Sequence, residues 1–351
     1  MSTKRNIQFS FRIIPVTSIL TFLLLTILSY FGVYLIRRYA QERQIMDHPK
    51  ERSSHSLPMP RGGGLAIVVL VLGTSLWFAN ETTLSRSLTY IVLGAILAWV
   101  GWRDDIYSLS PKFRFVVQGL IAIISILVMG YFKVVRIPMF GDVDLGVIGI
   151  VITFLWIIGM INAYNFMDGI DGMAGGVALS AGLCWMVLSS NVHNPFVFWV
   201  ALSIAASNLG YLGHNWPPAK IFMGDVASTF LGYSFAVLPL LSADQSGDAL
   251  TIGTLLMWTV IIDPGATFIG RLLKRENIFS RHRSHLFQRL VIGGYKQAAI
   301  SSLYILLTLL AGLLSYEWSH GDQFAPVLIF LGLPLIWILL SIHVARLQRA
   351  Q

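Results

Sequence analysis

The sequence is short of charge and nearly without cysteine. Only 12% of its 351 residues are Asp, Glu, Lys or Arg, against 55% hydrophobic, and that is too little polar surface to cover a soluble globule of this length. Cys184 is the one cysteine, which excludes an intrachain disulfide and disfavours a thiolate metal site; it lies in an apolar run and reads as packing. Neither GxxxxGK[ST] nor GxGxxG occurs, which argues against an ATP-driven machine. The short alternation of polar and apolar residues that a membrane barrel needs is missing too. With no fixed-period repeat, low-complexity tract or linker, residues 1–351 are expected to form one integral domain.

What the chain does have is long apolar runs. A bilayer core of about 30 Å takes roughly 20 apolar residues as a helix, and backbone groups in lipid must be satisfied within the segment. The expectation is therefore an all-α, polytopic integral membrane protein with about eleven transmembrane helices. They are placed at 13–36, 63–79, 87–102, 114–132, 147–164, 174–190, 196–213, 226–241, 250–270, 297–316 and 325–345. The first run is too long for a signal-peptide core and is followed by a basic cluster, so it counts as a span.

Alternating the loops sorts the basic residues. Lys4, Arg5, Arg12, Arg86, Lys133 and Arg136 fall on one side and the rest of the 25 on the other, which the positive-inside rule makes cytoplasmic. The N-terminus is then expected outside and the C-terminus inside. Every motif-like segment falls on the cytoplasmic side: 43–64, 101–114, 162–172, 213–228 and 274–290. On the opposite side, NVHNP (191–195) and SADQSGD (242–248) read as turns and RIPMFGDVDLG (136–146) as a small hairpin.

The richest segment is NAYNFMDGIDGMAGG, Asn162 to Gly176. Polar and ionisable groups at the end of a membrane-length run are costly there and point to function. Asn162, Asn165, Asp168 and Asp171 recur every third residue, but the helix rotates about 60° per step, so all four cannot share a narrow face. Gly169 and Gly172 allow the backbone to leave the helix and fold the carboxylates inward. Asn and Asp oxygens suit Mg²⁺, which takes one or two protein carboxylates alongside substrate phosphates; the bland alternative is an acidic helix cap.

Other segments extend the pattern. Adjacent Asp104 and Asp105 repel each other, so at least one should seek a cation, a metal or a proton, unless both are solvated and balanced by Arg103 and Lys112. Asp225 in KIFMGDVAS fits an N-cap or a metal ligand, with Lys220 nearby. The basic loop carries Arg281, His282, Arg283 and His285. Its guanidiniums suit a diphosphate, and the histidines suit phosphate donation better than zinc; a loop resting on anionic lipid is the alternative. The first cytoplasmic loop adds Asp47, Arg52, His55, Arg61 and the glycines Gly62 to Gly64. Carboxylates and amides for a divalent metal, with Arg and His for phosphates, are the equipment of phosphoryl transfer.

In order, GWRDDIYSLSPKFR, NAYNFMDGIDGMAGG, KIFMGDVAS and HRSHLFQRL resemble the signatures of the polyprenyl-phosphate N-acetylhexosamine-1-phosphate transferases, over about 47–290. The resemblance implies attack of undecaprenyl phosphate on the β-phosphate of a UDP-N-acetylhexosamine such as UDP-GlcNAc or UDP-FucNAc. The products are undecaprenyl-diphospho-sugar and UMP, and the metal is Mg²⁺, with Mn²⁺ as an alternative. It further implies metal ligation by Asp225 and Asn165, and places Asp104 and Asp105 by the lipid phosphate. Asp168, Asp171 and Asn215 would line the nucleotide site, Asp168 with a catalytic part. Arg281, His282, Arg283 and His285 would hold the diphosphate or sugar; from the residues of the first loop itself, His55 and Arg61 are expected to bind substrate as well. RHRSH in place of a triple histidine, and SLPMPRGGG in the first loop, set the chain apart from the muramoyl-pentapeptide enzymes. They resemble instead the enzymes that initiate lipopolysaccharide O-antigen or capsule-type glycans at the bacterial inner membrane.

Expected partners are thus the UDP-sugar, the lipid phosphate and the bilayer, with no nucleic acid; a homodimer is left open. The rival from another class is a secondary transporter, which predicts broken helices and intramembrane acids. Asp263, before Pro264, falls within the 250–270 span and fits that rival, or else places Arg271 and the basic loop. A scaffold that only presents basic loops to lipid is the third reading.

Overall fold

The computed structural model describes residues 16–47, 57–79, 84–137, 140–192, 194–242, 248–275, 284–322 and 324–350, and within these each of the eleven apolar runs is mainly helical. His55, Arg281, His282 and Arg283 lie outside the described residues, as do Lys4, Arg5, Arg12, Arg52 and 243–247 of the SADQSGD turn. Helix starts follow local signals. Helix α4 (Pro111–Met129) has proline at its first position and Ser110 as cap, its hydroxyl accepting Phe113 N–H at 3.3 Å. Helix α7 (Pro195–Asn215) repeats the device with Asn194, which accepts Val197 N–H at 3.2 Å.

The remaining elements, in chain order, are α1 (Val16–Glu42), β1 (Met46–Asp47), β2 (Met59–Pro60), α2 (Leu65–Trp77), α3 (Leu84–Tyr107), β3 (Val134–Ile137), β4 (Gly141–Asp144), α5 (Ile148–Met167) and α6 (Met173–Val192). After α7 come α8 (Asp225–Ser242), α9 (Asp248–Leu256), α10 (Trp258–Leu273), α11 (Leu286–Ile292) and α12 (Gln297–Ser319). The chain closes with α13 (Ala325–Val327), a π-helical stretch (Leu328–Gly332) and α14 (Leu333–Ala350).

Among the described residues eight helices are long and apolar enough to cross a membrane, and nine if α9 and α10, bent by 76°, form one span. The chain is a polytopic α-helical membrane protein, but eleven full-length spans are not reached. Helix α2 and the apolar part of α6, Met173–Ser189, are shorter. At the start of α2 a tertiary contact intervenes: the Gly63 and Gly64 amides donate to the Phe222 and Met223 carbonyls (2.9 and 3.0 Å), and the helix begins at Leu65.

Burial ranks the helices. In α8 89% of the apolar window is buried and in α7 78%, against 17% in α1, so α7 and α8 form the centre and α1 lies at the rim. Small residues permit the close approach that membrane helices use. Gly232 of α8 lies against the Met160 carbonyl and Ile161 of α5, and Gly101 of α3 lies against the Asp225 carbonyl, where a Cβ would collide with backbone.

Strands β3 and β4 pair antiparallel, Val134 opposite Asp144 and Ile137 opposite Gly141, which forms the hairpin expected at 136–146. Arg136 ties it down, bonding Asp142 at 2.6 Å and Asp248 of α9 at 3.0 Å. At the other end β1 pairs with β2, and Arg61 bridges to Phe222. The first loop is thereby stitched to the segment that leads into α8.

Candidate active site

The end of the bundle opposite the hairpin collects the C-termini of α3, α5 and α7 and the N-termini of α4, α6 and α8. Asp105, in the last turn of α3, has a fully buried side chain. Its Oδ1 accepts the backbone N–H of Asp225 at 2.8 Å and its Oδ2 that of Val226 at 3.2 Å. It thus supplies acceptors for amides that the start of α8 would leave orphaned. Gly224, at φ +83°, makes the turn that brings these amides onto the carboxylate.

Two guanidiniums thread the acidic groups together. Arg61 Nε pairs with Asp105 at 2.9 Å and its Nη2 with Asp225 Oδ1 at 2.8 Å. Arg114 Nη1, in the first turn of α4, reaches Asp104 Oδ2 at 2.8 Å and Asp225 Oδ2 at 3.4 Å. Asp104 also accepts Leu109 N–H and so closes the turn between α3 and α4. The balancing cations are therefore Arg61 and Arg114, not the Arg103 and Lys112 that lie nearer in sequence; Arg103 instead sits over the Tyr107 ring at 4.3 Å. Nothing in the sequence pattern singles out Arg114, which lies in the same SLSPKFR segment. For Arg61 burial works against the charge, but Asp105, then Asp225, Asp47 and Asp168, outweigh it and raise its pKa.

The Asn162–Gly176 stretch divides as its helical rotation requires. Asn162 turns towards α4, donating to Gln118 Oε1 at 2.8 Å, whereas Asn165 turns to α8 and accepts from Ser228, one turn beyond Asp225. The helix then stops. Asp168 follows α5 with φ −77° and ψ 46°, and Gly172 takes φ +76°. Withdrawal from water pushes the Asp168 carboxyl well above the usual range; Arg61 opposes the rise, and Asp225 and Asp105 add to it.

Asp171 and Asn215 are drawn into holding the loops. Asp171 Oδ2 accepts Ala219 N–H at 2.9 Å, while Asn215 accepts Gly172 N–H at 2.9 Å and donates to the Ile221 carbonyl at 3.0 Å. His285 precedes α11 and is 6% exposed. Its ring parallels Phe287 at 5.6 Å and leans on Phe166 of α5 at 5.8 Å. Burial, helped by Arg271, lowers its pKa to about 4, so the imidazole is neutral at ordinary pH.

The sequence-derived Asp104, Asp105, Asp225, Arg61, Asn165 and Asp168 thus meet at one end of the bundle. Asp225, with 14% of its side chain exposed, and Asn165 are hard oxygen donors on one face of the site. Among the described residues no three acidic or histidine side chains converge into a ready metal cage.

The model of glycosyl transferase family 4 matches residues 87–243, which run from α3 through α8. A probable undecaprenyl-phosphate N-acetylglucosaminyl 1-phosphate transferase of Bacillus subtilis (strain 168) is 34% identical over 286 residues, covering 80% of this chain and 76% of its own. An undecaprenyl-phosphate alpha-N-acetylglucosaminyl 1-phosphate transferase of Yersinia pestis is 30% identical, covering 88% and 86%. A decaprenyl-phosphate N-acetylglucosaminephosphotransferase of Mycobacterium leprae is 28% identical, covering 86% and 82%. Likeness that spans most of both chains, and includes the helices that carry the aspartates, has one meaning: the chain belongs to the polyprenyl-phosphate N-acetylhexosamine-1-phosphate transferase family.

Proposed function

We propose that this protein transfers N-acetylhexosamine-1-phosphate from a UDP-sugar to undecaprenyl phosphate at the cytoplasmic face of a bacterial inner membrane. A lipid-phosphate oxygen forms a bond to the β-phosphorus of the UDP-sugar, the bond from that phosphorus to the bridging oxygen breaks, and UMP leaves with that oxygen. The observation that carries the reading is the junction of Asp104, Asp105 and Asp225 with Arg61 and Arg114 at the end of an apolar bundle. A lipid phosphate can reach such a place from the bilayer and a nucleotide from the water.

The site fits a divalent cation by its donor chemistry. Among the described residues Asp104, Asp105 and Asp225 gather around the guanidiniums of Arg61 and Arg114, and carboxylates placed where a diphosphate must sit would repel it unless a cation offset them. We assign Asp225 and Asn165 as the Mg²⁺ ligands, with Mn²⁺ able to replace it; when bound, the metal neutralises charge on the diphosphate. This donor set does not require a three-ligand cage, because Mg²⁺ fills its shell with water and substrate phosphate. Asp104 orients the lipid phosphate and accepts its proton if it arrives protonated, while Asp105 holds Asp225 and Arg61 in place. Asp168 and Asp171 face the nucleotide, and neutral His285, with the 281–283 residues, receives the diphosphate or sugar.

The departures in the first loop and in RHRSH support a place at the start of O-antigen or related surface-glycan synthesis. The test is direct. Purified protein incubated with undecaprenyl phosphate, Mg²⁺ and a panel of UDP-N-acetylhexosamines should release UMP with at least one of them, and the panel identifies the sugar. Folded protein that releases none overturns the reading.

A further inference from the structure

Asp263 lies inside α10, beyond the 76° bend, with none of its surface open to solvent. A carboxylate withdrawn from water is costly unless donors surround it, and here they do. Oδ1 accepts the backbone N–H of Leu286 at 2.8 Å and Oδ2 that of Phe287 at 3.4 Å. Tyr304 Oη of α12 donates to Oδ2 at 3.0 Å, and Thr267 Oγ1 approaches Oδ1 at 3.5 Å. Leu286 and Phe287 are the first two residues of α11, whose amides have no partner within their own helix. His285 stands at the capping position and its side chain caps nothing. The cap of α11 is thus supplied from another helix.

What this cap holds adjoins the candidate site. His285 Nδ1 lies 4.0 Å from Asp263 Oδ1, and its ring is fixed between Phe287 and Phe166, two residues before Asp168. Phe287 in turn abuts Gly169, where a Cβ would come within 2.9 Å of its ring. One route of contacts therefore runs from the Asp263 carboxylate through the start of α11 to the Asp168–Asp171 loop. An acid with every oxygen given to the fold is poorly placed to bind a transported ion, which removes the support that Asp263 lent the transporter reading.

We propose that Asp263 is a positioning residue for the transfer reaction: it pins the start of α11 so that the His285 imidazole is held beside the Asp168 loop, and it touches no substrate. The catalytic half of this inference rests on the reading of His285 as part of the phosphate-binding site.

The experiment is a double-mutant cycle on UMP release with Asp263→Asn, His285→Gln and the pair, joined to a measurement that needs no turnover. That measurement is the rate at which diethyl pyrocarbonate modifies residue 285, followed by peptide mass spectrometry. Asp263→Asn is expected to lower kcat/KM about tenfold in the parent and less than about twofold when His285 is already Gln, because residues acting through one another are not additive. Modification of His285 is expected to be several-fold faster in Asp263→Asn. Independent, multiplicative losses in the cycle, or an unchanged modification rate, overturn the proposal. Should Asp263→Asn fail to fold, Asp263→Glu keeps the charge and moves the carboxylate by one methylene. It should expose His285 in the same way if position matters, and behave as the parent if Asp263 only balances charge, which overturns the proposal. Parent protein that releases no UMP sinks the functional reading and leaves the modification experiment standing.

Discussion

Asp105 accepts the backbone N–H of Asp225 at 2.8 Å, so one acidic residue of the site is the helix cap of another. The carboxylate is buried and also paired with Arg61. Asp105→Asn retains a side-chain acceptor for the cap but loses the ion pair, whereas Asp105→Ala leaves both the amides and part of Arg61 without a partner. The alanine variant should cost about 1–3 kcal/mol and the asparagine variant less. Thermal unfolding in detergent reads the order, and equal melting temperatures for the two variants would show that the cap contributes nothing.

The same junction depends on two glycines. A Cβ at Gly101 would strike the Asp225 carbonyl, and one at Gly224 would strike the Asp105 carboxylate from a backbone at φ +83°. Neither neighbour can give way without moving the site. Gly101→Ala and Gly224→Ala are expected to lose about 1–3 kcal/mol of stability or more. Gly73→Ala, which meets nothing within 4 Å, should behave as the parent. Expression and melting temperature of the three variants, side by side, test the contrast.

Much of this was legible in the sequence because membrane helices announce themselves by length and composition, and because acids at their ends have few bland explanations. That Asn162, Asn165, Asp168 and Asp171 do not share one narrow face follows from helical rotation, whereas the separate neighbours of Asn162 and Asn165 are seen only in the fold. The partners of the acids were not legible: Arg61 is brought to Asp225 by its pairing with Phe222, a tertiary event, and Arg114 by the turn after α3, whose closure on Asp104 residue type does not announce. For the same reason the structural duties of Asp171 and Asn215, which fasten loops together, could not be separated from ligand binding by residue type. The late start of α2 was hidden as well, since glycines at the start of an apolar run do not show whether they extend a helix or bond to a distant segment.

Arg114 bridges Asp104 and Asp225 from one nitrogen, Nη1, at 2.8 and 3.4 Å. A lysine ammonium can restore the charge and donate to both acceptors from one nitrogen, but its flexible stem does not hold that nitrogen where the planar guanidinium does. Arg114→Lys is expected to release UMP about tenfold more slowly and Arg114→Ala about a hundredfold more slowly. Steady-state kinetics decide it. A lysine variant as impaired as alanine would mean that the placement of the guanidinium, and not its charge, is what the site uses.

Asp225 and Asp168 separate an enzyme from a lipid-binding scaffold. If Asp225 is a metal ligand, Asp225→Asn should raise the Mg²⁺ concentration needed for half-maximal UMP release and lower the maximal rate about a hundredfold or more. Asp168→Asn should lower the rate on a similar scale at unchanged Mg²⁺ demand. A titration of both variants with Mg²⁺ gives the two readouts together. Parent-rate UMP release in either variant would remove that carboxylate from the transfer site, whereas a scaffold would release no UMP even as the parent.

His285 gives the fold a pH dependence of known sign. Burial lowers its pKa from 6.5 to about 4, so between those values the unfolded chain binds a proton that the folded one refuses. Stability contributed by the neutral imidazole is therefore fully present above 6.5 and is lost as the pH falls towards 4. His285→Gln removes the titrating group and keeps an amide of comparable reach. On acidification from neutral pH the parent should lose several degrees more of melting temperature than this variant, an effect on the order of a few kcal/mol. Other acids titrate over the same range, but they are common to both proteins and cancel in the difference. Parallel melting curves across that range would mean that the imidazole is not held away from water, and that Phe166 and Phe287 do not enclose it.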